Sequence, residues 1–197
     1  MSTLEFTESA VGDIGTQLFW FNKQNSGSSG NYKGAFEYGV PVTAGAEFGG
    51  DVESFDAPET DLDYVPKVAG RTSLNDIQYT ANYSKERYKR VQTITGKGTQ
   101  TFMEVLDDNS AMIFQGTCGM PTIAGGDVRQ INFTVVASYM LWIENINDIA
   151  NEKTKLDALG LTEVYKQDSS TSKYYINIDS TTIPTARTQY YSGHAKA

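Results

Sequence analysis

The chain has 197 residues, enough to bury a core without metal or disulfide help, and its single cysteine, Cys118, excludes an intramolecular disulfide and points to a reducing setting. Hydrophobic residues make up 39% of it, below the globular norm, and the shortfall is filled by Gly, Ser, Thr, Asn and Gln rather than by charge. The net charge of −8 is concentrated in residues 1–65, where eleven acids meet two bases, and so disfavours tight nucleic-acid binding, which needs Lys and Arg to displace counterions.

In chain order, residues 16–22 read as an aromatic-rich strand and 24–34 as a Ser/Gly loop. Residues 36–42 and 46–55 are expected as a hairpin turning near 43–45, with Pro41 confining its first strand to an edge. The acidic stretch 51–63 contains Pro58, lacks a clean period and is expected as an exposed loop. The clearest strand is 76–83, where Ile77, Tyr79, Ala81 and Tyr83 alternate with polar residues. Ser84 then opens a short basic helix over 85–94 as its N-cap, with Tyr88, Val91 and Ile94 as a thin apolar stripe.

Strands follow at 99–106 and 111–117 around the turn signal Asp107–Ser110, with Met112 and Phe114 on one face. After a Gly-Gly-Asp turn comes a strand over 128–143. Ile131, Phe133, Val135, Ala137, Tyr139, Leu141 and Ile143 are expected on one face. Sixteen residues exceed ordinary strand length, so a bend or bulge is expected inside it. Residues 148–159 read as a helix ended by Gly160, 161–166 and 173–178 as a hairpin, and 184–197 as a polar arm. The division expected is a β domain over 1–147, with a long acidic loop at 43–70, followed by a C-terminal unit over 148–197.

The N-terminal residues lack the basic start and apolar run of a signal peptide, and no apolar run reaches about 18 residues, so neither export processing nor a membrane span is expected. Chemistry is sparse. His194, four residues from the end, reads as a solvated tail residue, and Cys118 as a small packed one. No zinc cluster can be assembled. Glu59, Asp61 and Asp63 fall at every second position, but the glycine and closing glutamate of a calcium loop are missing. Glycine pairs at 49–50 and 125–126 lack the spacing of a phosphate loop. No catalytic residue, metal or cofactor is expected.

What stands out instead is an uncharged polar set. Gln78, Thr80 and Asn82, then Gln130, Asn132, Thr134 and Ser138, hold strand positions where a solvent face would ordinarily carry Lys and Glu. Such a face suits a wet, non-adhesive surface, as in the wall of a channel.

Family resemblance enters with the segments around these residues. Arg71–Tyr83 resembles the strand before the helix in siphophage tail tube (major tail) proteins. Asp107–Gly116 resembles the hairpin after that helix, and Gly125–Val128 with the strand to Ile146 resembles the long closing strand. The resemblance covers roughly 60–147, with a similar texture at Phe6–Phe21. It implies two packed antiparallel sheets, sandwich- or barrel-like, with one flanking helix; the helix–hairpin unit after residue 147 then reads as an α+β extension. It implies hexameric rings stacked into a tube that conducts DNA, assembled in the host cytoplasm and resident in the virion tail. The partners it implies are other copies of the chain, the tape measure, tail terminator and baseplate proteins, and DNA in transient passage.

On that frame Gln78, Thr80, Asn82, Gln130, Asn132 and Thr134 are expected to face the lumen. An acidic loop (Asp51, Glu53, Asp56, Glu59, Asp61, Asp63) is expected to meet the basic helix (Lys85, Arg87, Lys89, Arg90) of a neighbouring subunit. The hairpin over 161–178 is expected either to decorate the outer surface or, the reading favoured, to form an inter-ring clasp through the sticky strand Tyr174, Tyr175 and Ile176. The alternative function is a β-sandwich binding module for carbohydrate or a host surface, with Trp20, Trp142 and the tyrosines as stacking platforms.

Overall fold

Alternation of apolar and polar residues lets a strand bury one face and leave the other wet. It is cleanest at β5 (Ile77–Asn82), where Ile77, Tyr79 and Ala81 are buried while Gln78, Thr80 and Asn82 are not. The computed structural model describes residues 16–21, 34–43, 46–56, 67–106, 108–126 and 128–183. In it β5 joins β1 (Gln17–Phe21), β2 (Phe36–Pro41), β6 (Thr99–Val105), β7 (Ala111–Cys118), β8 (Thr122–Ala124) and β9 (Gln130–Ile143). They form one seven-stranded antiparallel sheet in the order β2-β1-β6-β7-β9-β5, with β8 also beside β9. β3 (Gly50–Asp56) and β4 (Lys67–Leu74) form a separate two-stranded ribbon, and β10 (Tyr165–Gln167) and β11 (Tyr174–Ile176) another. The fold is mainly β, as expected.

The helix α1 (Lys85–Ile94) starts where the sequence marks it. The Ser84 side chain accepts the Arg87 amide at 3.1 Å, which satisfies one of the orphan donors of the first turn. Val91 and Ile94 are buried beneath it. The sheet curls until its two ends meet. The Thr43 amide, just past β2, donates to the Thr80 carbonyl of β5 at 2.9 Å, and the Thr43 hydroxyl donates to the same oxygen at 3.0 Å.

Two apolar clusters lie on opposite faces of this sheet. One gathers Leu18, Trp20, Val40, Ile77, Tyr79, Phe102, Phe114, Ile131, Phe133 and Val135 with Val91 and Ile94 of α1. The other gathers Phe19, Phe36, Met103, Ile113, Leu141 and Ile143 with Ile146, Ile149, Leu156, Leu161, Val164, Ile176 and Ile183 from the C-terminal segment. That segment holds α2 (Lys153–Ala158), β10 and β11, and it packs on the apolar part of one sheet face. It also reaches the edge of β2, where the Phe36 amide donates to Asn177 and the Asp179 amide to Phe36, both at 2.8 Å.

The expected bulge in the long strand is present, and it changes which residues face where. β7 and β9 slip register between Gln115 and Gly116, so that Gln115 pairs with Tyr139 but Gly116 with Ala137. One extra residue reverses the facing of everything beyond it. Ile131, Phe133, Val135 and Ala137 therefore pack with the α1-side cluster, while Tyr139, Leu141 and Ile143 pack with the C-terminal one. The seven residues do not share one face. β1 and β2 slip likewise between Leu18 and Phe19. A side chain at Gly116 would start 2.6 Å from Val135 Cγ1 and one at Gly39 would start 2.1 Å from Trp20 Cζ3, so each slip sits where the strands approach too closely for a Cβ.

Three expectations of local structure are corrected. Residues 36–42 and 46–55 do not pair with each other: β2 pairs with β1, and β3 pairs with β4. The acidic stretch is not a loop at its start, because Gly50–Asp56 is a strand whose backbone finds its hydrogen bonds in β4. The C-terminal helix is confined to Lys153–Ala158, since residues 146–152 satisfy their backbone groups in turns, such as Glu152 N–H to the Ile149 carbonyl at 3.1 Å. The expected loop at 24–34 falls outside the described residues apart from Gly34, and the arm at 184–197 lies outside them.

Candidate functional site

The residues Gln78, Thr80 and Asn82 stand directly across from Thr134, Asn132 and Gln130 in the β5–β9 ladder. All six therefore lie on one face, and none belongs to either buried cluster. Opposed residues in such a ladder are about 5 Å apart, close enough to bond laterally. The Thr80 hydroxyl donates to Asn132 Oδ1 at 3.0 Å, and the Thr122 hydroxyl of β8 to the Asn132 carbonyl at 3.3 Å.

The same face continues across β7 and β6. Thr117 stands opposite Val136 and Thr99, and Gln115 opposite Thr101. The Ser138 hydroxyl, at the bulge, donates to the Gln115 carbonyl at 3.2 Å. Sequence reasoning missed Thr99, Thr101, Gln115, Thr117 and Thr122, although Thr99 and Thr101 carried the signal as alternate polar positions in a strand. No Asp, Glu, Lys or Arg occurs in 77–82, 99–101, 115–118, 122–124 or 130–138. Val136, 56% exposed, and Ala124, opposite Gln130, are the apolar exceptions on the face. The C-terminal segment covers the neighbouring part of this side of the sheet; the polar part is exposed or half-exposed apart from Thr101, which is buried.

The remaining candidates are dispersed. Asp51, Glu53 and Asp56 stand in β3, with Asp56 paired in register with Lys67, while Glu59, Asp61 and Asp63 lie outside the described residues. On α1, Arg90 is committed within its own chain. It donates to the Tyr38 carbonyl at 3.1 Å, pairs with Glu86 at 2.9 Å and lies over the Tyr38 ring. Arg87 donates to the Asn82 carbonyl at 3.2 Å. Lys85 and Lys89 are exposed. In the strand read as a clasp, Ile176 is buried in the chain's own C-terminal-side core and Tyr174 packs half-buried against it, edge-on to Tyr165. Tyr175 is half-buried. The ammonium of Lys153 lies 5.2 and 5.1 Å from the Tyr165 and Tyr174 ring centres and bonds Asp157 at 2.6 Å. This cation–π arrangement fixes the hairpin to α2, and the Lys153 hydrogen bond holds the Asp157 carboxyl below its ordinary range.

Cys118 is buried, and burial pushes its thiol up to about 11, so it is held as a packed thiol. His194 lies outside the described residues. Among the described residues there is no cluster of three or more metal-ligating side chains, and no helix is long and apolar enough to cross a membrane. Sequence reasoning passed over Glu104. This carboxylate is fully buried on the α1 side of β6, where it accepts the Tyr79 hydroxyl at 2.7 Å and the Ala46 amide at 3.2 Å. Its signal was a lone acid in the run Phe102–Val105.

No family model matches the sequence, and no curated protein matches it. Solved structures similar to this fold include a chain of the sheath–tube complex of an extracellular contractile injection system, PVC, in its extended state. The TM-score is 0.43 at 9% identity, over 69% of this chain and 93% of that one. Another is a chain of the anti-feeding prophage (AFP) baseplate, with a TM-score of 0.39 at 11% identity, over 73% and 97%.

Proposed function

We propose that the chain is a non-enzymatic structural subunit that self-assembles into stacked rings, hexameric in keeping with the sequence resemblance, and forms the tail tube of a phage-type particle. The uncharged sheet face is its channel wall. The observation that carries this reading is the face itself, a largely open stretch of amide and hydroxyl groups across β6, β7, β9 and β5 on which no Asp, Glu, Lys or Arg stands. Duplex DNA carries a negative charge about every 1.7 Å along its axis, and each Lys or Arg contact would hold it by counterion release. A wall of neutral hydrogen-bonding groups stays hydrated and lets such a polyanion slide. Tape measure, terminator and baseplate proteins would be its partners. Between rings, the acidic residues of β3 and the exposed Lys85 and Lys89 would bias stacking register. Each such pair is worth only about 0–1 kcal/mol and is weakened by salt.

Electron microscopy of the concentrated protein, beside sizing at low concentration, tests assembly: hollow filaments of uniform width are expected, and a monomer at every concentration would count against it. An Asn132→Cys variant tests the wall. A small maleimide should label both dispersed subunits and tubes, whereas a bulky polyethylene-glycol maleimide should label only the former. Equal labelling of tubes by the bulky reagent would place the face outside, and exclusion of both would place it between subunits.

A further inference from the structure

Glu104 is a charged residue in a place that packing alone would give to an apolar one. Its ladder neighbours are Leu18 on β1 and Met112 on β7. Above it the Ala46 backbone and the Phe48 ring, which contacts Phe114 at 5.7 Å, close over the core. From β5 comes Tyr79, stacked on Phe133 and Phe114 and itself buried. Tyr79 is the ionisable group that faces the carboxyl. Glu47, beside Ala46, is exposed, and no cation pairs with Glu104 among the described residues. Residues 46–49 lead directly into β3, and the Asn75 amide, just past β4, donates to the Gly49 carbonyl at 3.2 Å. Glu104 thus holds the base of the β3–β4 ribbon to the sheet.

We propose that Glu104 is a proton-linked pin: protonated, it keeps residues 46–49 closed over the sheet, and ionised, it favours a local opening that admits water and frees the base of the ribbon. The geometry is a single buried carboxyl that accepts the backbone amide of Ala46, in the irregular segment 46–49, on one oxygen and a buried tyrosine on the other. Burial raises its pKa from 4.5 to about 7, against the lowering effect of those two hydrogen bonds. A closed state that binds the proton more tightly than the open one is favoured at low pH. Its advantage is complete below about 4.5 and is lost as pH rises through about 7. The opening constant should therefore rise roughly tenfold per pH unit across that window and level off above it. The proposal goes beyond the tube reading and does not depend on it.

Hydrogen exchange of the full chain between pH 5 and pH 8, corrected for intrinsic rates, tests it at the Ala46 amide. The expected result is a rise in its opening constant on the order of 100-fold, absent in Glu104→Gln, while amides of the β6–β7 ladder keep their protection. The same pH response in Glu104→Gln, or loss of Ala46 and ladder protection together, would overturn it. If that variant does not fold, a carbon-13 titration of the Glu104 carboxyl in the unaltered chain decides: a midpoint near 7 supports the pin, and one near 4.5 removes it.

Discussion

Ending the chain at Gly160 removes more than an appendage. Leu161, Val164, Ile176 and Ile183 are each at most 7% exposed and belong to the same cluster as Phe19, Phe36, Ile113 and Ile143 of the sheet. Burying an aliphatic side chain of this size contributes about 1.5–3 kcal/mol, so the four together represent roughly 6–12 kcal/mol. Two backbone hydrogen bonds to Phe36 go with them, and the sheet residues left behind become exposed. A whole domain is stable by only about 5–15 kcal/mol, so the truncated chain should not hold its native fold at 25 °C. Urea unfolding followed by tryptophan fluorescence, with limited proteolysis, is the assay. A cooperative transition with an unchanged midpoint would refute the reasoning and restore the C-terminal unit to the status of a separable decoration. Loss of tubes in such a truncation would then report unfolding, and Tyr175→Ala, which leaves Ile176 in the core, is the cleaner probe of a clasp.

Glu104→Gln should narrow the pH dependence of stability: the native chain should lose on the order of 3 kcal/mol between pH 4.5 and 7 through this group, so the variant should gain on it as pH rises, as urea titrations at pH 5 and pH 8 would measure. Gly39→Ala should destabilise by about 1–3 kcal/mol because the new Cβ meets the Trp20 ring and the Leu18 carbonyl, seen as a lower melting temperature with altered tryptophan fluorescence. Ser84→Ala should cost about 1 kcal/mol through the lost cap, read from the unfolding midpoint. Asn132→Lys should leave the subunit folded, because the face is open, yet slow DNA release from assembled particles. Normal release from intact tubes would separate this face from the channel.

Local elements were legible where one physical signal sufficed. Alternation gave β5, and a serine before a basic, weakly amphipathic run gave α1 to the residue. Pairing was harder. Residues 46–55 fit a hairpin with 36–42 by proximity alone, but β2 finds its partner in the aromatic strand β1 beside it in the sheet, and the acidic strand is held by β4. Acidity argues for solvent exposure and says nothing against a ribbon, whose ladder needs only backbone groups. The six uncharged residues were legible as a set because alternation puts each on a known side of its strand. That they stand opposite one another is a matter of register, which the sequence left open.

The bulge in β9 ties these parts together. Before it, the residues pointing to one side of the sheet are Gln130, Asn132 and Thr134; after it, the residues on that same side are Tyr139, Leu141 and Ile143. A regular strand would have kept the apolar residues on one face throughout and left no apolar seat for the C-terminal segment beside the polar wall. With the slip, one strand supplies a dry half that anchors α2, β10 and β11 and a wet half that stays open. Filling Gly116 would oppose the slip, since its Cβ would meet Val135 and the Val136 carbonyl. Core and polar face are thus set by one irregularity, and a substitution there should disturb both at once.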